Sequence, residues 1–393
     1  MATVSTRAER NFARHKLRYP FHNPRARHSH TRPMASHVPF LAVRPDDQFS
    51  ADIKTRDFAA PVNGIATPAM ENAPIRVTSA SRIPAPLRYA LICVLSLGLN
   101  AVAYTLTAEW AGVELAAVSP DSTEDWRVWV PVAWKLVELT FAGWSGYDWK
   151  DLAGLACLSN LPYYFLLHTF YEIHLSACLT AFAIDVSSIA IPFALLRPIS
   201  HAHTAGKTAN QLVAHDPFVF SMMAIFGSAI YAVTVYSSLY TWLPVYMITR
   251  FDEVRSLQSA HDASVWMLLA ILLPIGWATT QFLFTPAVGQ RGNPGLTDPD
   301  IHPEFAEEFN AETATLGETV AYNLGFGKQG FSKRAEVVAK RTAVLIGCSV
   351  INTVERTVMS VAGTDVAGAA GWASVWGVAG MLTAVAYAWV GNE

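Results

Sequence analysis

The chain has 393 residues, of which 52% are hydrophobic and 15% charged, with a formal net charge of −3. An average soluble domain carries roughly 25% charged residues, so this sequence has too little polar surface to close a soluble globule. An all-α, polytopic transmembrane bundle is expected, with the lipid bilayer as its first partner and no nucleic acid.

Residues 1–86 are rich in Arg, His, Pro and Ser and lack a long apolar run, which predicts a basic, mostly disordered cytosolic tail. Its first part, 2–32, also has the look of a mitochondrial presequence: Glu9 is the single acid, and Val4, Ala8, Phe12 and Ala13 can share a helix face. The cytosolic tail is the favoured reading. With no secretory signal ahead of it, the first span must itself act as the insertion signal.

Apolar runs then recur to the C-terminus, each near the ~20 residues that a helix needs to cross the hydrocarbon core. They place eight spans at about 87–107, 127–146, 152–172, 174–197, 217–242, 263–285, 341–361 and 367–390. The third and fourth are divided only near Tyr171 to His174. The stretch 217–248 is too long for one upright span and is expected to tilt, protrude or bend at Pro244. The last span carries Ala369, Ala373 and Gly377 on one face and Gly380, Ala384 and Ala388 on another, small residues that let helices approach closely.

Cytoplasmic flanks carry the excess of Lys and Arg. With both termini inside, 23 of the 28 Lys and Arg fall on the cytosolic side, among them Lys150, Arg197, Lys340 and Arg341. Arg127, Arg250 and Arg255 fall outside, and Lys135 and Arg356 lie within spans. An N-in, C-in topology follows.

The cytosolic loop at about 286–340 has an acidic run, Glu304, Glu307, Glu308 and Glu312, that reads as a solvated helix face. Gly325-Phe-Gly327-Lys-Gln-Gly330 has the glycine spacing of a dinucleotide site but no preceding strand or βαβ unit, so no nucleotide cofactor is expected. His28/His30 and His201/His203 are loop pairs without further ligands, and no metal is expected. Cys93, Cys157, Cys178 and Cys348 all fall inside spans and read as small buried residues.

Function is sought at ionisable groups within the spans, which are costly there and face a bundle interior, a partner or a pathway. In the second span Trp134, Lys135 and Glu138 share one helix side. Tyr164, His168 and Glu172 form a stripe toward the outer end of the third. Asp185 is central in the fourth with no base within one turn, and is expected to be a neutral acid and proton donor, because desolvation disfavours the charged form. In the seventh, Asn352, Glu355 and Arg356 lie close together, but adjacent residues sit about 100° apart on a helix. One of the charged pair therefore needs a partner on another helix, and Asp185 and Glu138 are both open to Arg356. Each grouping also has a plain structural reading, as a buried ion pair or an interfacial anchor.

The catalytic candidates are Asp185, Glu138 and Glu355. Lys135, Arg356, Asn352, His168 and Glu172 are candidates for supporting charge or hydrogen bonds. Many aromatic residues share these spans, and Trp134, Tyr164, Tyr231 and Trp277 are candidates to stabilise a cation through their ring faces. Acids beside aromatic walls suit proton-initiated cyclisation of a prenylated, lipid-like substrate.

Eight spans in under 400 residues, the acids Glu138, Asp185 and Glu355, and the basic turn Leu196-Arg-Pro-Ile-Ser-His-Ala-His203 carry a resemblance over residues 87–390. The chain resembles the membrane-integral terpene cyclases of fungal meroterpenoid pathways, of the ascochlorin and macrophorin type. The resemblance implies metal-independent cyclisation of a farnesyl-bearing, epoxidised substrate in the endoplasmic reticulum or another internal membrane, the mitochondrial inner membrane being the lesser candidate. Two other classes stay open: a proton- or ion-coupled transporter, for which midplane acids are equally expected, and a non-catalytic membrane protein whose charges set helix packing.

Overall fold

The computed structural model describes residues 84–120, 126–204, 209–289, 313–327 and 330–390. The basic tail, the acidic run from Glu304 and the pair His28/His30 lie outside the described residues. All the described residues belong to one compact unit.

The helices fall on the apolar runs. α1 (Ala85–Leu106) leads through a π-helical turn, Ala108–Gly112, into the short α2 (Val113–Ala116). α3 is Trp126–Trp144, α4 Trp149–Tyr171 and α5 Leu175–Leu196. The Asp148 side chain caps α4 by accepting the Lys150 and Asp151 N–H groups, donors that a helix start leaves without intrahelical partners. α4 stops where Glu172 turns into the left-handed region at φ 56°, and α5 restarts three residues later, at the division expected from the sequence.

α6 (Ala209–His215) precedes α7 (Pro217–Tyr240), which the Asp216 side chain caps, and α8 is Leu243–Arg250. The long apolar stretch breaks at Thr241 and Trp242 rather than at Pro244. Pro244 lies instead in the first turn of α8, where a missing N–H costs nothing. α9 (Gln258–His261) leads to α10 (Val265–Ile271), α11 (Leu273–Thr279), a π-helical turn Thr280–Phe284 and α12 (Thr285–Val288).

α13 (Leu316–Asn323) precedes a two-stranded ribbon in which β1, Phe326–Gly327, pairs with β2, Gly330–Phe331. The glycines from Gly325 to Gly330 thus serve a hairpin, with Gly325 at φ 74°. α14 (Lys333–Ser360), capped by the Ser332 side chain, and α15 (Val366–Val390) complete the chain.

Five of these helices, α1, α5, α7, α14 and α15, are long and apolar enough to cross a membrane. The helices Val265–Ile271 and Leu273–Val288, bent by 56°, pass the same test together as a broken sixth. α4 is the hub: except at Leu161 and His168 it is buried from Asp151 to Tyr171, and α5, α11 and α14 pack on it. α14 and α15 run antiparallel, with Gly377 against Val350 and Gly380 against Leu345. Ala369, Ala373, Gly377, Gly380 and Ala384 are all buried, as their spacing leads one to expect, while Ala388 of the same pattern is half-buried. α11 crosses α7 so closely that a Cβ on Gly276 would collide with the Ala224 carbonyl and with Ser228.

Candidate functional site

Asp185 is 1% exposed and sits where α1, α4, α5 and α14 meet. Its Oδ2 accepts from Arg356 Nη1 of α14 at 2.6 Å and from the Tyr164 hydroxyl of α4 at 2.6 Å. Its Oδ1 accepts from the Tyr104 hydroxyl of α1 at 3.1 Å and from Asn100 Nδ2 at 3.4 Å. Arg356 also donates to Tyr164 at 3.2 Å and lies over the Tyr163 and Tyr164 rings, 5.4 and 5.6 Å from their centroids. The sequence left Asp185 and Glu138 open to Arg356, and Asp185 is the one it meets, so the carboxyl is not the unpaired group that its own helix suggests. The base comes not from its own helix but from α14, and four donors surround the carboxylate in the way an acceptor-only group requires.

Lys135 and Glu138 pair at 3.1 Å on α3, Lys135 lies within electrostatic reach of Asp185, and Glu355 lies within reach of both Glu138 and Arg356. Lys135, Glu138, Asp185, Glu355 and Arg356 thus gather in one region. Trp134 donates to Asn352 Oδ1 at 3.0 Å, while Asn352 Nδ2 donates to the Ser159 carbonyl at 2.8 Å and to Asn160 Oδ1 at 3.1 Å.

His168 and Glu172 stay apart from this region at the end of α4, where His168 Nδ1 bonds the Ile173 carbonyl at 3.0 Å and Glu172 is an exposed cap. Tyr231 packs against Trp376 of α15, and Trp277 is 43% exposed on α11. Of the four proposed aromatics, Tyr164 touches the charged group, and Trp134 bonds Asn352 of the neighbouring amide cluster. All four cysteines are free thiols, two of them buried.

A second buried polar cluster, at the other end of α4, was not singled out from sequence. Asp148 Oδ2 accepts from the Ser200 N–H at 2.9 Å and faces His203 Nδ1 at 2.8 Å; His203 Nε2 faces the Gln281 carbonyl at 3.2 Å. Arg341 of α14 grips both oxygens of Asp151, at 2.6 and 3.1 Å, and donates to the Phe282 carbonyl at 2.9 Å. That carbonyl is available for a reason readable in the sequence: Pro286, four residues on, has no N–H to return to it. The same holds at Leu158, four residues before Pro162, whose carbonyl accepts from Ser349 Oγ at 3.3 Å.

Burial alone would raise the Asp148 carboxyl, but the His203 contact and the Asp151 and Ser200 N–H groups outweigh it and hold the group well below the usual carboxylate range. Ligand atoms of Asp148, Asp151 and His203 lie within 4.8 Å of one another, a donor set that a divalent metal accepts. Arg341 and the backbone N–H groups already engage both carboxylates, so the set is satisfied within the chain.

Comparison with known families bears on the C-terminal half. Residues 217–390 match the model of the family described as Bouquet formation protein 3 C-terminal domain. The match covers under half of the 393 residues and takes in α7 to α15. It is not a terpene cyclase family, and this finding overturns the resemblance drawn from the sequence. Comparisons with curated proteins and with solved structures gave no match.

Proposed function

We propose that this chain is a non-catalytic membrane component acting in meiotic bouquet formation, the role to which the name of its matching family points. The observation that carries the structural part of this reading is the engagement of Asp185. Donors from three other helices occupy both of its oxygens, which makes it a tie between helices. The bouquet role rests on the family name.

In this proposal α1, α3, α4, α5, α7, the bent α10–α12 segment, α14 and α15 cross the bilayer eight times. Both termini are cytosolic and the membrane is an internal one, such as the endoplasmic reticulum. The alternating direction of these eight legs and the bias of Lys and Arg support it. Residues 87–393 are the membrane domain, with a cytosolic loop at about 286–340, and residues 1–86 are its cytosolic tail.

The test is deletion of the coding sequence in the source organism, with bouquet formation scored in meiosis. Rescue by the wild type and by Glu138→Gln is expected, and a normal bouquet in the deletion strain would sink the idea. A transport reading keeps one specific observation: Glu355 Oε1 is buried and makes no hydrogen bond among the described residues. Substrate-dependent proton flux in proteoliposomes, abolished by Glu355→Gln, would favour it.

A further inference from the structure

α4 and α14 run parallel, and four polar side chains of α14 find acceptors on α4 and α5 at matching heights. Arg341 meets Asp151, Ser349 the Leu158 carbonyl, Asn352 the Ser159 carbonyl and Asn160, and Arg356 meets Tyr164 and, beyond it, Asp185. All the donors of this ladder belong to the family-matched segment 217–390, and all the acceptors lie in the α4–α5 hairpin, outside it.

We infer that the α4–α5 hairpin is a built-in docking partner for the matched segment, recognised through this ladder. The matched segment requires such a partner, an apolar helical hairpin that brings two carboxylates and the proline-freed Leu158 carbonyl. The inference does not depend on the bouquet role.

The physical reason lies in what each half would carry alone. Without the hairpin, α14 would hold the Arg356 guanidinium, an amide N–H and a hydroxyl with no acceptor in an apolar setting, and Arg341 would keep only the Phe282 carbonyl. Without α14, Asp185 would keep only the neutral donors Tyr164, Tyr104 and Asn100, and both buried carboxylates would lose their guanidinium partners. Unmet charge in such surroundings is expensive, whereas a met pair is tolerated. The charges at the two ends fix height along the helices, and the amide and hydroxyl between them fix rotation. Trp372 of α15 adds a further tie, donating to the Pro162 carbonyl at 3.0 Å.

The test keeps the full chain. A protease site is placed between Thr204 and Ala209, and the protein is purified intact in detergent through a C-terminal tag, cut, and recaptured by the tag at low and at molar salt. The N-terminal part is expected to stay bound at both, because buried pairs are little screened. With Arg341→Gln and Arg356→Gln together, retention is expected to fall at least about tenfold.

Release of the N-terminal part from unmodified cut protein, or full retention by the double variant, overturns the proposal. If the double variant yields no folded protein, the exchanged pair Asp151→Arg with Arg341→Asp decides. Recovery of retention relative to Arg341→Asp alone supports the ladder, and no recovery overturns it.

Discussion

Arg356 of α14 and Asp185 of α5 meet at 2.6 Å, although 170 residues intervene and neither has an opposite charge on its own helix face. Glu355 is the next residue to Arg356, but it points about 100° away. Each member of the pair is thus the other's main answer to burial, and the pair fixes α5 against α14 through the edge of α4.

Breaking that pair from one side leaves a buried charge without its counterion. Asp185→Asn or Arg356→Gln should each cost about 3 kcal/mol, read as a lowered Tm in detergent. The double substitution should cost clearly less than the two single losses together. Additive losses would show that the two residues act independently.

The pH dependence of stability should carry the mark of Asp148. Its carboxyl is held well below the usual range in the folded protein, so its contribution is fully present above the unfolded Asp value of about 3.9 and is lost as pH falls below it. Between neutral pH and about pH 3, the Tm of the wild type should drop more steeply than that of Asp148→Asn. At neutral pH the variant should be the less stable of the two. Parallel curves would contradict this.

Glu172 bears the left-handed backbone at the end of α4 with an exposed side chain. Glycine adopts this conformation without steric cost, so Glu172→Gly should raise stability by about 0.5 kcal/mol. Glu172→Val should lower it, and an unchanged Tm for both would argue against strain there.

The α7–α11 crossing has no room for a methyl group at Gly276. Gly276→Ala should cost at least about 2 kcal/mol through forced separation of the helices. Gly98→Ala on α1, where an added Cβ meets nothing within 4 Å, serves as the control and should be neutral or slightly stabilising. Equal behaviour of the two variants would mean that the crossing is not close in solution.

The positions of the long helices were legible in the sequence because apolar runs of span length have few alternative uses. The need of Arg356 for a partner on another helix was legible too, from the 100° rule and its neighbour Glu355. What local pattern did not supply was the choice of Asp185, since that depends on which helices lie beside α14.

His203 shows the other limit. It read as an ordinary loop residue, yet it is 4% exposed beside Asp148 and the Gln281 carbonyl. One local signal pointed its way, the Asp148-x-x-Asp151 spacing at a helix start; Pro286 pointed instead to Arg341, which takes the Phe282 carbonyl that it frees. The break after Tyr240 was anticipated from Pro244 but fell earlier, because a proline is at home in a first helical turn.

The parallel course of α4 and α14 also constrains chain length. From Asp151 to Tyr164 one helix advances 13 residues, while from Arg341 to Arg356 its neighbour advances 15, and the contacts in between keep step. A residue inserted between Asp151 and Tyr164 would move every later contact by about 1.5 Å and 100°, whereas the same insertion just before Asp148 or after Glu172 would leave them in phase. These two stretches therefore behave like a shared reading frame. Single-residue insertions scanned along α4 should be tolerated outside it and abolish folding within.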